Sequence, residues 1–312
     1  MIKFAADNSS FIMKVHTDFN NFGEIKNAVV TTGTFDGVHI GHKTIINRLT
    51  RLAAEVKGES VLISFYPHPA KILFPDKTTQ QELITTPNEK IQLLRETGLN
   101  HLFLIPFTPE FAKISSRDFV TDILQEKLGA KIIIVGGNHH FGHNREGNFN
   151  YLYRISKSAG FMVEEIPMQD IEDEVVSSTR IRKALSDGNI QNANAYLDHF
   201  FLITGNTVRT NDIASDHNAG FYKVEIDNIE KLIPPTGKYA VRILENNARG
   251  IMIIEKQTDK PNLVFMCMDK DLSIETNKVY SYAFHQQIHT TNKINNLYEY
   301  IHNDINAVNQ LI

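Results

Sequence analysis

The sequence contains one cysteine and no tryptophan in 312 residues. A lone cysteine, Cys267, cannot form an internal disulfide, and it excludes a zinc or iron–sulfur cage built from cysteines. A reducing compartment is the simplest setting for such a chain, so we expect a cytoplasmic protein. The absence of tryptophan excludes no class of protein.

Long apolar runs are missing as well. No stretch approaches the roughly 20 apolar residues that span a bilayer, and the N-terminal segment shows neither a long apolar core nor a small-residue cleavage site. We therefore expect no membrane association. The formal net charge of −4 provides no general cationic surface for nucleic acid. An anion of nucleotide size would need a local site.

The first half of the chain alternates apolar runs with amphipathic stretches. Strands are predicted at residues 28–32, 60–65, 101–105, 131–135 and 161–166, and helices at 40–57, 88–97, 117–128 and 151–159. This alternation predicts an α/β fold, a doubly wound parallel sheet with helices on both faces. Ligands of such sheets bind at the carboxyl ends of the strands, and the segments after Thr32, Phe65 and Val135 fall there.

The pattern changes near residue 200. Two helices, at 178–185 and 190–197, precede candidate strands at 200–208, 222–226, 238–244, 250–255, 262–268 and 279–284, and a closing helix is predicted at 295–308. A run of strands with one closing helix is typical of a small β-barrel domain. We expect two domains, residues 1–187 and 188–312.

Residues 33–42, which read GTFDGVHIGH, carry the strongest chemical pattern. The segment follows a strand and opens a helix, where glycines permit a tight turn and free N–H groups favour phosphate. His39 and His42 lie three residues apart and share one face of the first helical turn. Two imidazoles there can stabilise charge on a departing pyrophosphate. The alternative is a pair of capping or surface histidines. Zinc is disfavoured, because helical metal ligands more often lie four apart.

Two further segments carry polar groups in suitable places. Pro67 and Pro69 would fix a rigid turn after the second strand, unless the turn only ends that strand. Ser177, Ser178 and Thr179 form an N-cap run, and Arg182 follows one turn later. Hydroxyls and a guanidinium could form a second phosphate cradle, although a plain capped helix would show the same pattern.

The HIGH tetrapeptide at 39–42 resembles the HxGH motif of the nucleotidylyltransferases, and the whole GTFDGVHIGH string resembles the prokaryotic bifunctional riboflavin kinase/FAD synthetase family. Residues 65–69 (FYPHP), 135–142 (VGGNHHFG) and 176–182 (VSSTRIR) resemble further segments of its adenylyltransferase module, in the expected order. This resemblance implies transfer of AMP from ATP to FMN, with Mg²⁺ accompanying the ATP.

The resemblance also implies roles for individual residues. The residues expected to be catalytic are His39, His42 and Arg182. Those expected to bind ATP are Gly33, Phe35, Asp36, Gly37, Gly41, Ser177, Ser178, Thr179 and Arg182. Those expected to border FMN are Phe65, Pro67, His68, Pro69 and Asn138. Here His139 replaces the aromatic carbon ring that many members carry after the Asp or Asn, which makes the flavin contact differ from theirs. No metal-binding side chain is assigned.

The C-terminal half departs from the family pattern. Kinase members carry GFPTAN, whose Thr and Asn bind Mg-ATP, whereas residues 220–225 read GFYKVE. The family's glutamate base corresponds to Thr291, which cannot accept the proton of a riboflavin hydroxyl. We therefore expect the riboflavin kinase activity to be absent or very weak.

Three readings follow for function. The first is an FMN adenylyltransferase, the second a fully bifunctional enzyme, and the third a flavin- or nucleotide-binding regulatory protein with little catalysis. Adenylyl or cytidylyl transfer to another phosphorylated acceptor is a further alternative. Formation of FAD from FMN and ATP separates these readings. The sequence leaves the oligomeric state open, a homo-oligomer included.

Overall fold

The computed structural model describes residues 12–76, 82–137, 139–167, 170–171, 174–209, 220–226, 228, 230–256, 261–267, 274–289 and 308. The helices are α1 (Ile40–Glu55), α2 (Pro69–Leu73), α3 (Pro87–Arg95), α4 (Ser116–Asp118), α5 (Phe149–Ala159), α6 (Ser178–Ser186) and α7 (Ile190–Leu197). The strands are β1 (Lys14–His16), β2 (Val29–Thr32), β3 (Ser60–Tyr66), β4 (His101–Pro106), β5 (Ile132–Gly136), β6 (Met162–Ile166), β7 (Asp170–Ile171), β8 (Glu174–Val175), β9 (Phe201–Arg209), β10 (Gly220–Glu225), β11 (Gly237–Ile243), β12 (Arg249–Lys256), β13 (Pro261–Cys267) and β14 (Lys278–His289).

The chain divides into two compact units. The first comprises Met1–Gln81 and Lys90–Gln169, and the second comprises Glu82–Glu89 and Asp170–Ile312. The short segment Glu82–Glu89 thus groups with the C-terminal half. The expected division at residue 187 stays a prediction.

A six-stranded parallel sheet forms the centre of the first unit, in the order β1-β4-β3-β2-β5-β6. Side chains alternate between its faces, since neighbouring residues of a strand point in opposite directions. Val29 packs with Leu49 of α1 and Leu94 of α3 in one buried cluster. Val30 packs with Leu124 and with Leu152 of α5 in the other. The predicted doubly wound sheet is confirmed.

One predicted helix differs in type. The α-helix expected at 117–128 is a short α4 that continues into a π-helix, Phe119–Lys127. Its hydrogen bonds reach five residues back, as from Leu128 N to Ile123 O (3.1 Å). Apolar periodicity did not reveal this offset, because Phe119, Val120, Ile123 and Leu124 are buried as an α-helix would also bury them.

The second unit contains a closed antiparallel barrel in the order β10-β13-β12-β11-β14-β9, which confirms the predicted barrel. Tyr239, Tyr280, Tyr282 and Phe284 are among its fully buried side chains. The predicted closing helix at 295–308 lies, apart from Val308, outside the described residues. Of the helices that can be described, none is both long and apolar enough to cross a membrane.

The segment Glu82–Glu89 is fastened to this second unit. Leu83 forms a parallel bridge with Lys231, and its N–H donates to Glu230 O (2.7 Å). Lys231 Nζ contacts Glu89 Oε2 at 2.6 Å, and both side chains are almost fully buried. Sequence reasoning did not find this attachment.

Candidate active site

Three loops of the first unit follow the carboxyl ends of adjacent parallel strands. β2, β3 and β5 end at Thr32, Tyr66 and Gly136, and β2 pairs in parallel with the other two. The loops that begin at Gly33, Pro67 and Gly137 therefore start at the same edge of the sheet. This edge is where the sequence predicted a ligand site.

The loop after β2 adopts an unusual backbone. Phe35, Gly37 and Val38 have φ values of 46°, 87° and 43°, all in the left-handed region that a β-branched residue such as Val38 rarely occupies. A Cβ on Gly33 would lie 3.0 Å from the Phe35 ring. Phe35 and Asp36 are buried. The glycines at 33 and 37 thus serve a tight turn, as predicted, and the non-glycine residues within it are conformationally strained.

His39 and His42 lie together at the start of α1. Their ring centroids are 3.6 Å apart and the rings are stacked at 19°. His39 is the N-cap residue, and its Nδ1 accepts from His42 N over 3.4 Å. Because Nδ1 accepts this hydrogen bond, a neutral His39 ring carries its proton on Nε2. A Cβ on Gly41 would lie 3.3 Å from the His39 ring, so glycine allows the ring to pack closely.

His42 has an unusual electrostatic environment. Burial, then the neighbouring His39 and Lys90, hold the pKa of His42 well below its usual range. Its Nδ1 is buried and has no hydrogen-bond partner among the described residues. A buried ring nitrogen without a partner costs free energy unless a ligand fills that role. His42 is therefore a neutral imidazole suited to contact a bound ligand.

Sequence reasoning missed Lys90 and Ser64. Lys90 Nζ donates to Thr34 O (2.7 Å) and contacts Ser64 Oγ (3.2 Å), and Ser64 Oγ donates to the same carbonyl (2.9 Å). One signal was present: Lys90 precedes the buried Leu94 by four residues, so helical spacing places both on one face of α3.

The loop after β3 contains the residues expected to border FMN. Phe65 packs with the rings of Phe107 (5.4 Å) and Phe111 (5.5 Å). His68 caps α2, with Nδ1 accepting from Ala70 N (3.2 Å), and Pro69 is the first helical residue. Pro67 precedes this cap. The capping role of His68 was not anticipated, and the flavin contacts of this loop stay predictions.

The loop after β5 is described except for Asn138, which lies outside the described residues. The neighbouring His139 stacks with Phe141 at 5.7 Å. Burial lowers the pKa of His139 to about 4, with His140 adding to the effect. His139 Nε2 is buried without a hydrogen-bond partner in the described part of the chain. The imidazole therefore occupies an aromatic environment as an uncharged ring.

The predicted serine-threonine-arginine turn belongs to the second unit. Ser177 is the N-cap of α6, and its Oγ accepts from Arg180 N (3.4 Å), which confirms the predicted cap. Thr179 is exposed and Ser178 half-buried. Arg182 Nε donates to Glu82 O (2.8 Å), a partner that the sequence did not reveal. Convergence of this turn with the two histidines on one triphosphate stays a prediction.

Within the residues that the structure describes, no group of three or more His, Cys, Asp or Glu side chains is arranged to hold a metal ion.

Sequence comparisons identify relatives of this chain. The sequence model of the FAD synthetase family matches residues 22–180. The bifunctional riboflavin kinase/FMN adenylyltransferase of Buchnera aphidicola (subsp. Acyrthosiphon pisum, strain APS) is 32% identical over 74% of this chain and 73% of its own. The enzyme of the same name from Escherichia coli K12 is 26% identical over 91% and 90%. The FAD synthetase of Listeria monocytogenes is 37% identical over 57% and 71%.

A solved structure shows the same fold. It is described as a macrolide-efflux protein from Streptococcus pneumoniae and superposes with a TM-score of 0.81 at 21% identity, covering 96% of this chain and 99% of that one. Because the family model covers half of the chain, including the glycine–histidine loop and the start of α6, the chain belongs to the FAD synthetase family.

Proposed function

We propose that this protein is an FMN adenylyltransferase, which converts FMN and ATP into FAD and pyrophosphate. Membership of the FAD synthetase family supports this reaction class. The observation that carries the proposal is the stacked histidine pair at the start of α1, with a buried His42 Nδ1 that has no partner among the described residues. A triphosphate oxygen or an intervening water would supply that partner.

The chemistry follows from the charges of the substrates. The FMN phosphate is largely dianionic at neutral pH, since its second pKa is near 6, so it needs no general base. One of its oxygens attacks the α-phosphorus of ATP. The bond from that phosphorus to the bridging oxygen breaks, and pyrophosphate leaves with the electron pair. The protein must orient two polyanions and offset their repulsion.

Each residue of the pair suits part of this task. His39, with its proton on Nε2, can donate a hydrogen bond to a phosphate oxygen. His42 can do so as a neutral ring, and a phosphate beside it favours its protonated form, since a nearby anion raises the pKa of an imidazole. Charge that accumulates on the leaving pyrophosphate is then met by donors that are already in place. Ser177, Ser178, Thr179 and Arg182 are proposed to complete the triphosphate site.

Mg²⁺ is proposed to arrive with ATP rather than on protein ligands. Bound with the nucleotide, it would neutralise part of the phosphate charge. The donor set near α1 consists of imidazoles, an ammonium and one buried carboxylate, Asp36. Such a set matches a nucleotide-borne Mg²⁺ better than a dedicated magnesium cage, which needs several oxygen ligands.

We also propose that riboflavin kinase activity is absent or very weak. In kinase members of the family, the Thr hydroxyl and the Asn amide of the GFPTAN motif bind Mg-ATP. In this chain Lys223 and Glu225 of β10, or their neighbours, occupy those positions. The two side chains form an exposed ion pair (3.3 Å). Thr291, at the expected base position, lies outside the described residues.

The division into two domains near residue 187 stays a prediction. A cytoplasmic location and the oligomeric state also stay predictions.

The purified protein with MgATP and either FMN or riboflavin tests both proposals by chromatography. We expect FAD from FMN, and little or no FMN from riboflavin; FMN at ordinary enzymatic rates would contradict the second expectation. The His39→Ala variant should lose most turnover while still binding FMN. The matched control is His143→Ala, an exposed histidine of the same unit, which should retain wild-type turnover. Bound flavin without FAD would support the binding-protein reading, and indifference to FMN would indicate another acceptor.

A further inference from the structure

Lys90 is a buried lysine that the mechanism above does not use. Only 6% of its surface is exposed, and burying an ammonium is costly unless hydrogen bonds and charges compensate. Its Nζ donates to Thr34 O at 2.7 Å and contacts Ser64 Oγ at 3.2 Å. The buried ammonium thus has one backbone carbonyl and one hydroxyl as its hydrogen-bond partners.

That carbonyl belongs to the loop that carries the histidines. Thr34 is followed by Phe35, Gly37 and Val38, whose φ values are all positive. A strained backbone persists only where its surroundings over-determine it. Lys90 Nζ and Ser64 Oγ both donate to Thr34 O, which fixes the beginning of this loop. His39 and His42 follow within eight residues of Thr34 in the sequence.

The charges around Lys90 also link it to the loop and to His42. The buried Asp36 carboxylate belongs to the loop and favours the ammonium, although burial still lowers the pKa of Lys90 to about 8. In turn, Lys90 is one of the groups that lower the pKa of His42, together with burial and His39. The titratable groups that interact with Lys90 are thus Asp36 from the loop and His42 from α1, while β3 contributes the neutral Ser64.

We propose that Lys90 is a positioning residue for adenylyl transfer, whose ammonium fixes the Thr34 carbonyl and thereby holds the loop and its two histidines in the reactive arrangement. The proposal rests on the proposed FMN adenylyltransferase function. Lys90 acts through the loop and is assigned no contact with substrate.

The test compares Lys90→Met with Lys127→Met, which alters an exposed lysine of the same unit. Methionine keeps most of the volume and removes the charge and the donors. We expect kcat for FAD formation to fall by about 10²-fold, the size of effect that a misplacement of about 1 Å produces, with little change in FMN affinity. Lys127→Met should match the wild type.

The pH profile supplies a readout that a purely structural role would not move. For the free wild-type enzyme, kcat/KM for ATP should decline as the pH rises through about 8, because Lys90 then loses its proton. Lys90→Arg keeps the charge and cannot deprotonate in this range. It should retain more activity than Lys90→Met and lose the alkaline decline.

Three results would overturn the proposal. One is a folded Lys90→Met enzyme with wild-type kcat. Another is an alkaline decline that persists unchanged in Lys90→Arg. The third is a wild-type enzyme whose Lys90 ammonium is seen by NMR to lose its proton while kcat/KM for ATP stays unchanged, a result that needs neither variant to fold. If the wild type makes no FAD at all, both the proposed function and the role of Lys90 are refuted. If the wild type makes FAD normally and the Lys90→Met enzyme is equally active, only the role of Lys90 is refuted.

Discussion

Removal of the ammonium in Lys231→Met should destabilise the second unit strongly. Lys231 Nζ contacts Glu89 Oε2 and Ile84 O, both at 2.6 Å, and the side chains of the ion pair are 1% and 0% exposed. Without the lysine, Glu89 becomes a buried carboxylate without its counter-charge. Breaking a buried pair in this way typically costs about 3–5 kcal/mol.

The remaining contacts of Glu89 decide where in that range the cost falls. Its Oε1 still accepts from Thr204 N and its Oε2 from Thr86 N, both at 2.9 Å. These two N–H donors keep part of the carboxylate stabilisation, while the Ile84 carbonyl loses its lysine donor. We therefore expect a loss near the lower end, about 3 kcal/mol. The double variant Glu89→Gln/Lys231→Met should recover part of it, because no buried charge remains unpaired.

Hydrogen exchange on peptides of the barrel measures this loss locally, which matters because a protein of two units need not unfold in a single transition. The control is Lys183→Met, since Lys183 and Asp187 form an ion pair of similar length (2.7 Å) that is exposed, at 76% and 56%. Water screens that pair, so its loss should change little. Equal effects of the two substitutions, or no effect of Lys231→Met, would refute the reasoning.

Two further predictions concern the first unit. The pKa of His139 is lowered to about 4 in the folded protein, so the unfolded chain binds more protons below about pH 6.5. The free energy of unfolding should therefore fall progressively from about pH 6.5 to about pH 4. In urea titrations His139→Phe should flatten this pH dependence, and an unchanged slope would contradict the assignment. Gly142→Ala should be strongly destabilising by thermal melting, because a Cβ there would lie 2.3 Å from Ser116 Oγ on a backbone with φ of +74°, whereas the same change at Gly98, where φ is +73° but the space is open, should show only the backbone penalty.

The elements that the sequence revealed are those whose signals are local. Residues 61–63 (VLI) and 132–135 (IIIV) are continuous apolar runs within the predicted strands, and such runs indicate strands buried on both faces. The histidine pair was found for the same reason, since its spacing and its glycines lie within ten residues. The N-cap at Ser177 likewise depends only on its neighbours in the chain.

The elements that were missed depend on distant partners. β1 has three residues and an exposed pattern; it is held by Lys14 N donating to Asn100 O (2.9 Å) and by the pairing of His16 with His101 (3.0 Å). The segment Glu82–Glu89 finds its partner Lys231 about 140 residues later. No periodicity within either segment encodes these contacts. Burial of a charged residue is favourable only beside a partner, and here the partner lies far away in the sequence.

The reaction itself is tested most directly by following the α-phosphate of ATP. With FMN, Mg²⁺ and ATP labelled at the α-phosphate, the account predicts that the label appears in FAD, whereas a γ-phosphate label appears in pyrophosphate and in no flavin. An α-label that never enters a flavin product, with the protein folded and both substrates present, would contradict adenylyl transfer to FMN.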